Sequence, residues 1–165
     1  MSFKEYAQYD GLGLADLVRR KQVSALELID AAIARAEKHN GRLNAIVHKA
    51  YDEARDNAKR GLQGGAFEGV PFLIKDLGTE VKGMPRSDGT HFKANASDTQ
   101  DCLLVQRYRA AGVNIFGKTN TPEFGITGTT ESARLGPCRS PWNTEHITGG
   151  SSGGAASAVA AGILP

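Results

Sequence analysis

Cysteine is scarce in this sequence, which excludes one common way of stabilising a small secreted protein. Only Cys102 and Cys138 occur among 165 residues. A disulfide-stabilised extracellular domain of this size carries more cysteines, and they recur at regular spacings. We therefore expect both thiols to be reduced and the protein to be intracellular.

Long apolar runs and a strong net charge are also missing. Residues 1–5 contain no apolar core of a signal peptide, and no later run approaches the length of a membrane span. The formal net charge is only +2 and the basic residues do not cluster, which argues against nucleic acid or an acidic membrane as a partner. We expect a cytoplasmic protein with no membrane and no nucleic-acid partner.

The histidines do not form a metal-ligand pattern. No two of His39, His48, His91 and His146 lie at the spacing of zinc ligands, so we expect no metal site. What the sequence does contain is an ordinary globular composition, 40% hydrophobic and 23% charged. Its length is sufficient for one domain with a hydrophobic core.

Helices and short apolar strands alternate along the chain. Ser24 and Glu27 form a capping-box pattern ahead of a run with helical periodicity. Phe72, Leu73 and Ile74 form a continuous apolar run, which is typical of a strand buried on both faces. The predicted helices are 13–21, the capped helix up to Asn40-Gly41, 51–60, and one opening at Ser97 or Asp98 and ending at Gly112; the predicted strands are 44–48, 70–76 and 113–117. This alternation predicts an α/β fold.

The predicted loops carry the polar residues that could perform chemistry. The segment over 77–97 is long and has no clean periodicity, and long loops in compact domains are often functional. A second loop, 118–125, leaves the strand over 113–117, and the stretch over 126–150 is rich in glycine, threonine and proline. No repeat or linker divides the chain.

The most unusual stretch is Thr148-Gly149-Gly150-Ser151-Ser152-Gly153-Gly154, followed by small residues that favour a helix. Glycine permits positive φ and close backbone approach, and Ser152 or a neighbour could cap the helix that follows. Other interpretations are a flexible linker, a phosphate-binding loop or a nucleophile elbow. The loop lacks the Gly-Lys-Ser/Thr ending of a Walker A motif, and no histidine follows it.

Lys75 ends the apolar run of a predicted strand, and this position makes it the second candidate for a catalytic residue, after the serine loop. Burial disfavours a charged ammonium, so the pKa of such a lysine falls and the side chain can act as a base. A base of this kind could activate a serine hydroxyl, as histidine does in other hydrolases. The plainer interpretation is a surface lysine paired with a carboxylate such as Asp76.

Four motifs, taken together, make the sequence recognisable. They are Gly69-Val70-Pro71-Phe72-Leu73-Ile74-Lys75-Asp76, Gly117-Lys118-Thr119-Asn120-Thr121-Pro122-Glu123-Phe124, Pro141-Trp142-Asn143 and Gly149-Gly150-Ser151-Ser152-Gly153-Gly154. In this order the motifs strongly resemble the amidase signature family, which are amide hydrolases with a Ser–cis-Ser–Lys triad. The resemblance runs to the last residue and is strongest to broad and cyclic-amide-hydrolysing bacterial amidases. It implies the amidase signature fold, a mixed central sheet flanked by helices.

The resemblance also implies roles for individual residues. Lys75 corresponds to the catalytic lysine, and Ser151 to the bridging serine that follows a cis peptide bond. The supports of the catalytic loop would be Gly149, Gly150, Ser152 and Gly153. A structural role is implied for Lys118, Thr119 and Asn120, a packing role for Trp142, and a surface or loop-bonding role for His146. The family mechanism requires no metal or organic cofactor.

Several features depart from the family pattern. The loop over 83–90 lacks the usual paired threonines, so it does not indicate which amide is the substrate, and residues 146–148 lack the usual arginine. In the family, the nucleophilic serine follows the bridging serine by roughly two dozen residues, which would lie after Pro165. We therefore expect residues 1–165 to be the N-terminal part of a single amidase signature domain, truncated within its sheet.

Three functions remain open from the sequence. The first is an amidase acting on a small-molecule carboxylic amide. The second is the glutaminase subunit of a tRNA-dependent amidotransferase, which shares the signature. The third is a non-catalytic fragment that acts only by binding, with nucleotide binding by the glycine loop as a further variant. Because many members of the family dimerise, a homodimer also stays open.

Overall fold

The computed structural model describes residues 3–93 and 97–165, and this part of the chain forms five α-helices and five strands. The helices are α1 (Gly11–Arg19), α2 (Ala25–Leu43), α3 (Tyr51–Arg60), α4 (Leu103–Ala110) and α5 (Gly153–Ala160). The strands are β1 (Ile46–Lys49), β2 (Pro71–Lys75), β3 (Asn114–Thr119), β4 (Glu131–Ser132) and β5 (Gly136–Pro137). Short 3-10 turns cover Tyr6–Gln8, His91–Lys93 and Glu123–Gly125.

The central sheet is mixed, as predicted. Its strand order is β1-β3-β2, with β1 antiparallel and β2 parallel to the middle strand β3. All six residues of β3 are buried, and its last residue, Thr119, lies opposite Lys75 at the end of β2. Strands β4 and β5 form a separate small hairpin. The predicted α/β class is confirmed.

The two faces of the sheet belong to different hydrophobic clusters. Leu73 and Phe116 pack in the larger cluster with residues of α1, α2 and α5. Ile74 and Ile115 pack in a second cluster with Val105 of α4. Because successive side chains of a strand point to opposite faces, Lys75 and Asp76, which follow Ile74, are expected to point to opposite sides of the sheet.

Helix α2 begins as the sequence predicts but ends later. The Oγ of Ser24 accepts a hydrogen bond from the Glu27 backbone nitrogen at 3.1 Å, and the Glu27 carboxylate accepts one from the Ser24 nitrogen at 2.9 Å, so the capping box is present. The predicted stop at Asn40-Gly41 is wrong. The helix continues to Leu43, whose side chain is buried. Asn44 follows as the C-cap residue, in the left-handed conformation at φ 50°.

This cap gives a prediction for stability. Ser24→Ala should lower the free energy of unfolding by about 1 kcal/mol because the first turn of α2 loses a hydrogen-bond acceptor. Ser24→Gly, the matched control, should cost only a few tenths of a kcal/mol. Urea unfolding followed by circular dichroism measures both values, and equal losses for the two variants would contradict the capping argument.

Helix α4 begins later than predicted because Asp98 makes other contacts. The prediction of a start at Ser97 or Asp98 is wrong, since the first helical residue is Leu103. The Asp98 carboxylate accepts a hydrogen bond from Val81 N at 3.0 Å, and its backbone nitrogen donates to Met84 O at 3.1 Å. These bonds fold the segment after β2 back on itself. Part of the predicted long loop, 94–96, lies outside the described residues.

Candidate active site

Lys75 and the serine loop meet at the end of strand β2. The Lys75 Nζ donates hydrogen bonds to Ser151 Oγ at 2.8 Å and to Ser152 Oγ at 3.2 Å. Lys75 follows Leu73 by two residues, so its side chain leaves the strand on the face that α5 covers. The structure thus brings together the two residues that the sequence singled out, although 76 positions separate them.

Burial sets the protonation tendency of Lys75. The partly buried ammonium loses hydration, and this desolvation lowers the pKa of Lys75 below its ordinary value. The plainer interpretation, a pair with Asp76, is wrong. The Asp76 carboxylate accepts hydrogen bonds from Ser87 instead, from the backbone nitrogen at 3.1 Å and from the hydroxyl. Burial raises the pKa of Asp76.

The backbone of the serine loop takes two uncommon conformations. Gly149 has a φ of 74°, and the peptide bond between Gly150 and Ser151 is cis, as the family resemblance implies. Helix α5 starts immediately afterwards at Gly153, so the linker interpretation is wrong. Ser152 occupies the N-cap position, but its side chain does not cap the helix. That prediction is wrong because the Ser152 hydroxyl faces Lys75 instead.

The two glycines that begin α5, Gly153 and Gly154, are packed too closely for a side chain at either position. A methyl group on Gly153 would overlap the Oγ1 atoms of Thr130 and Thr148. A methyl group on Gly154 would overlap the Asn120 nitrogen and come within 2.7 Å of the carbonyl oxygens of Asn120 and Ala45. The Gly154 nitrogen also donates to Asn120 O at 3.2 Å. These contacts fix the helix start, and therefore the serines before it, against the end of β3.

The segment over 118–120 lies beneath the site and has the structural role that the resemblance implies. Lys118 and Thr119 belong to β3, not to a loop as predicted. The Asn120 backbone nitrogen donates to Ala45 O at 2.9 Å, and its side-chain nitrogen donates to Asn44 O at 3.0 Å. Lys118 is fully buried, 3.4 Å from a carboxylate oxygen of Asp98, and desolvation lowers the pKa of Lys118.

Thr130 is a neighbour of the site that the sequence did not reveal. It is fully buried, and its Oγ1 has no hydrogen-bond partner among the described residues. This oxygen lies 3.1 Å from the position that a Cβ on Gly150 would occupy. Nothing in the sequence separates Thr130 from the other threonines of the stretch over 126–150, because its contact with the loop is long-range.

Two further residues of the signature motifs lie on the surface. Trp142 is 85% exposed, so the predicted packing role is wrong for the described part of the chain. His146 is also exposed, and its backbone oxygen accepts a hydrogen bond from Ser140 N at 2.9 Å. The predicted surface or loop-bonding role of His146 is confirmed.

The described residues contain no sign of two other kinds of site. Over 3–93 and 97–165, no cluster of three or more histidine, cysteine, aspartate or glutamate side chains could hold a metal ion. None of the helices in these two ranges is both long and apolar enough to cross a membrane. Both cysteines are free thiols.

Comparison with known proteins gives the family. A family model described as Amidase matches residues 27–165. The chain belongs to the amidase family. Among solved structures, a 6-aminohexanoate cyclic dimer hydrolase complexed with substrate superposes with a TM-score of 0.89 at 38% identity, over 96% of this chain and 33% of that one. The amidase signature fold expected from the motifs is confirmed.

Two relatives show the range of this amidase family. A putative amidase, AmiC, of Mycobacterium tuberculosis is 41% identical over 157 residues, which is 94% of this chain and 33% of the relative. One subunit of the glutamyl-tRNA(Gln) amidotransferase of Anaeromyxobacter dehalogenans is 37% identical over 152 residues, 88% of this chain and 31% of the relative. The chain therefore spans about a third of the length of these two relatives.

Proposed function

We propose that this chain carries the base and the proton-relaying serine of an amidase that hydrolyses carboxylic amides other than peptides. The single observation that supports this most directly is the 2.8 Å contact between Lys75 Nζ and Ser151 Oγ. In this proposal, residues 1–165 form the N-terminal part of one amidase signature domain. The nucleophilic serine is supplied from outside them.

The first half of the reaction is formation of an acyl-enzyme. Neutral Lys75 takes the proton of the Ser151 hydroxyl, while Ser151 takes the proton of the nucleophilic serine. That serine attacks the amide carbon and forms a tetrahedral oxyanion. The proton then returns from Lys75 through Ser151 to the leaving nitrogen, the C–N bond breaks, and the free amine departs.

The second half repeats the relay with water. Water attacks the acyl carbon as its proton passes through Ser151 to Lys75. Lys75 then returns this proton through Ser151 to the oxygen of the nucleophilic serine as the acyl C–O bond breaks, which releases the carboxylic acid and the free serine. In this mechanism, Gly149 and Gly150 shape the loop that presents Ser151. Ser152 holds Lys75 from a second direction, and Gly153 allows α5 to pack close behind. Oxyanion stabilisation comes from the segment that bears the nucleophile.

The experiment that tests this function is an assay of amide cleavage by the complete enzyme. Release of ammonia or amine from simple aliphatic, aryl and cyclic amides should be measured without added nucleotide or tRNA. Turnover of these amides supports the proposal. The competing glutaminase function predicts instead that glutamine is cleaved and that transfer requires partner subunits and charged tRNA. Absence of cleavage of every amide tested, including glutamine, contradicts both.

The state of Lys75 gives a prediction for the pH dependence. The base must be neutral, and burial lowers the pKa of Lys75, so kcat/KM should rise with pH and level off below the ordinary lysine pKa of about 10.4. The rise occurs because increasing pH removes the proton that blocks the base. Rates measured from pH 6 to 10 on an uncharged amide report this limb. A midpoint at or above the ordinary value would contradict the assigned base.

A further inference from the structure

Thr130 lies beside the serine loop, and the proposed mechanism gives its hydroxyl group no role. The residue is fully buried, and its Oγ1 makes no hydrogen bond within the described residues. A buried hydroxyl without a partner lowers the stability of a protein, and an apolar group of the same shape avoids that loss. A conventional hydrogen bond therefore does not account for the oxygen atom at this position.

The oxygen of Thr130 lies against the two glycines that flank the serine pair. Gly150 precedes Ser151, and Gly153 follows Ser152. The Oγ1 lies 3.1 Å from the position that a Cβ on Gly150 would take, and still closer to the corresponding position on Gly153. Because glycine carries a hydrogen in that direction, a Cα–H bond of each glycine points toward Oγ1. One oxygen atom thus contacts both ends of the serine pair.

These two contacts require an atom of the size of oxygen. A Cα–H···O contact has its heavy atoms about 3.3–3.6 Å apart, whereas two carbon atoms prefer about 3.5–4.0 Å. A methyl group in place of Oγ1 would therefore need more room toward both Gly150 and Gly153. Valine could not turn that methyl group away easily, because a β-branched side chain is stiff at χ1.

The backbone around Thr130 is held in place. Cys138 N donates a hydrogen bond to Thr130 O at 2.8 Å, and strand β4 begins at the next residue. Backbone atoms of Gly128 and Thr129 also lie 3.1 Å from the Cβ position of Gly150. A larger group at position 130 would therefore displace the serine loop before it displaces the hairpin.

We propose that Thr130 is a positioning residue of the amidase reaction, and that the small hydroxyl sets where Ser151 stands relative to Lys75. The inference rests on the proposed function. Thr130 acts through the two glycines, and the quantity that it controls is the 2.8 Å distance between Lys75 Nζ and Ser151 Oγ. A misplacement of about 1 Å in a catalytic site can cost on the order of 10²-fold in rate.

The test compares kcat of variants of the complete enzyme at a temperature at which all of them are folded. Thr130→Val keeps the branched shape without the oxygen, so kcat should fall at least about tenfold while KM changes little. Thr130→Ser keeps the oxygen and loses a buried methyl group, so its Tm should fall while kcat stays close to that of the wild type. A merely structural role predicts instead that activity follows stability, with the serine variant impaired as well.

Two further variants complete the comparison. Thr130→Ala differs from Thr130→Ser only by the oxygen atom, so it should be the slower of the two, and it replaces the valine variant if that protein does not fold. Thr99→Val, at an exposed threonine outside the serine loop, should leave kcat unchanged. Wild-type kcat in both Thr130→Val and Thr130→Ala, or an equal loss in Thr130→Ser, overturns the proposal.

A structural readout separates this inference from the proposed function. In crystal structures of the variants, the distance between Lys75 Nζ and Ser151 Oγ should lengthen in Thr130→Val and stay near 2.8 Å in Thr130→Ser. An unchanged distance in the valine variant overturns the positioning role. If the wild-type enzyme cleaves no amide, the proposed function fails, whereas this distance still decides whether Thr130 positions Ser151.

Discussion

Lys75→Ala should lower kcat for amide hydrolysis by at least about 10³-fold in the complete enzyme. General acid–base catalysis contributes on the order of 10²–10⁴-fold, and in the proposed mechanism one side chain acts as both the base and the acid. KM should change little, because the hydrogen bonds of Lys75 go to two serine hydroxyls and its proposed role is proton transfer. Steady-state kinetics on a simple amide measures both constants.

The control for this experiment is Lys38→Ala. Lys38 is an exposed lysine of α2, so its variant tests the loss of one lysine charge away from the site. Ser151→Ala provides a second check. If Lys75 and Ser151 act as one relay, the double variant should be scarcely slower than either single variant, because effects within a catalytic unit are not additive. Substantial residual activity in Lys75→Ala, or multiplied losses in the double variant, would refute the relay.

Gly154→Ala should destabilise the protein by about 3 kcal/mol and prevent the serine loop from forming. The added methyl group meets backbone atoms of Asn120 and Ala45, which a rotamer change cannot move aside. Overpacking typically costs about 1–3 kcal/mol, and rigid backbone neighbours place this site at the upper end. Urea unfolding measures the loss, and the Lys75–Ser151 contact should disappear from NMR spectra of the labelled lysine.

Gly41→Ala is the matched control and should have the opposite sign. Gly41 lies inside α2, and apart from its chain neighbours and the backbone of its own helix, no described atom lies within 4 Å of the position that its Cβ would take. Alanine there should stabilise the protein by about 0.5–1 kcal/mol, because glycine loses more conformational freedom in a helix. If Gly154→Ala were as harmless as Gly41→Ala, the close packing of α5 against β3 would be wrong.

The parts of the fold that the sequence predicted are those governed by local patterns. The capping box of Ser24 and the apolar run over 72–74 each depend on neighbours within a few residues. The errors occurred where a distant contact decided the outcome. Because Leu43 is buried, α2 extends beyond Gly41 to that residue. The hydrogen bond from Val81 N to the Asp98 carboxylate holds Asp98 in a non-helical segment, so α4 does not begin there.

In the candidate active site, too, the features set by local sequence were predicted and those set by distant contacts were not. The sequence predicted the position of Lys75 at the end of a buried strand, and the family resemblance implied that Lys75 acts together with Ser151. The actual partner of Asp76 could not be predicted from the sequence, because it is Ser87, which lies 11 positions further along the chain. The unpartnered hydroxyl of Thr130 was equally hidden, since only the folded chain brings it to Gly150.

The long separation between Lys75 and Ser151 has a consequence for the order of events during synthesis. A ribosome releases Lys75 well before the serine loop, so β2 emerges with a lysine that has no hydroxyl partner for the next 76 positions. Contacts of such sequence separation form late, because the intervening chain must lose its freedom first. The Lys75–Ser151 contact is therefore expected to form late in the folding of this chain, after the sheet that carries Lys75.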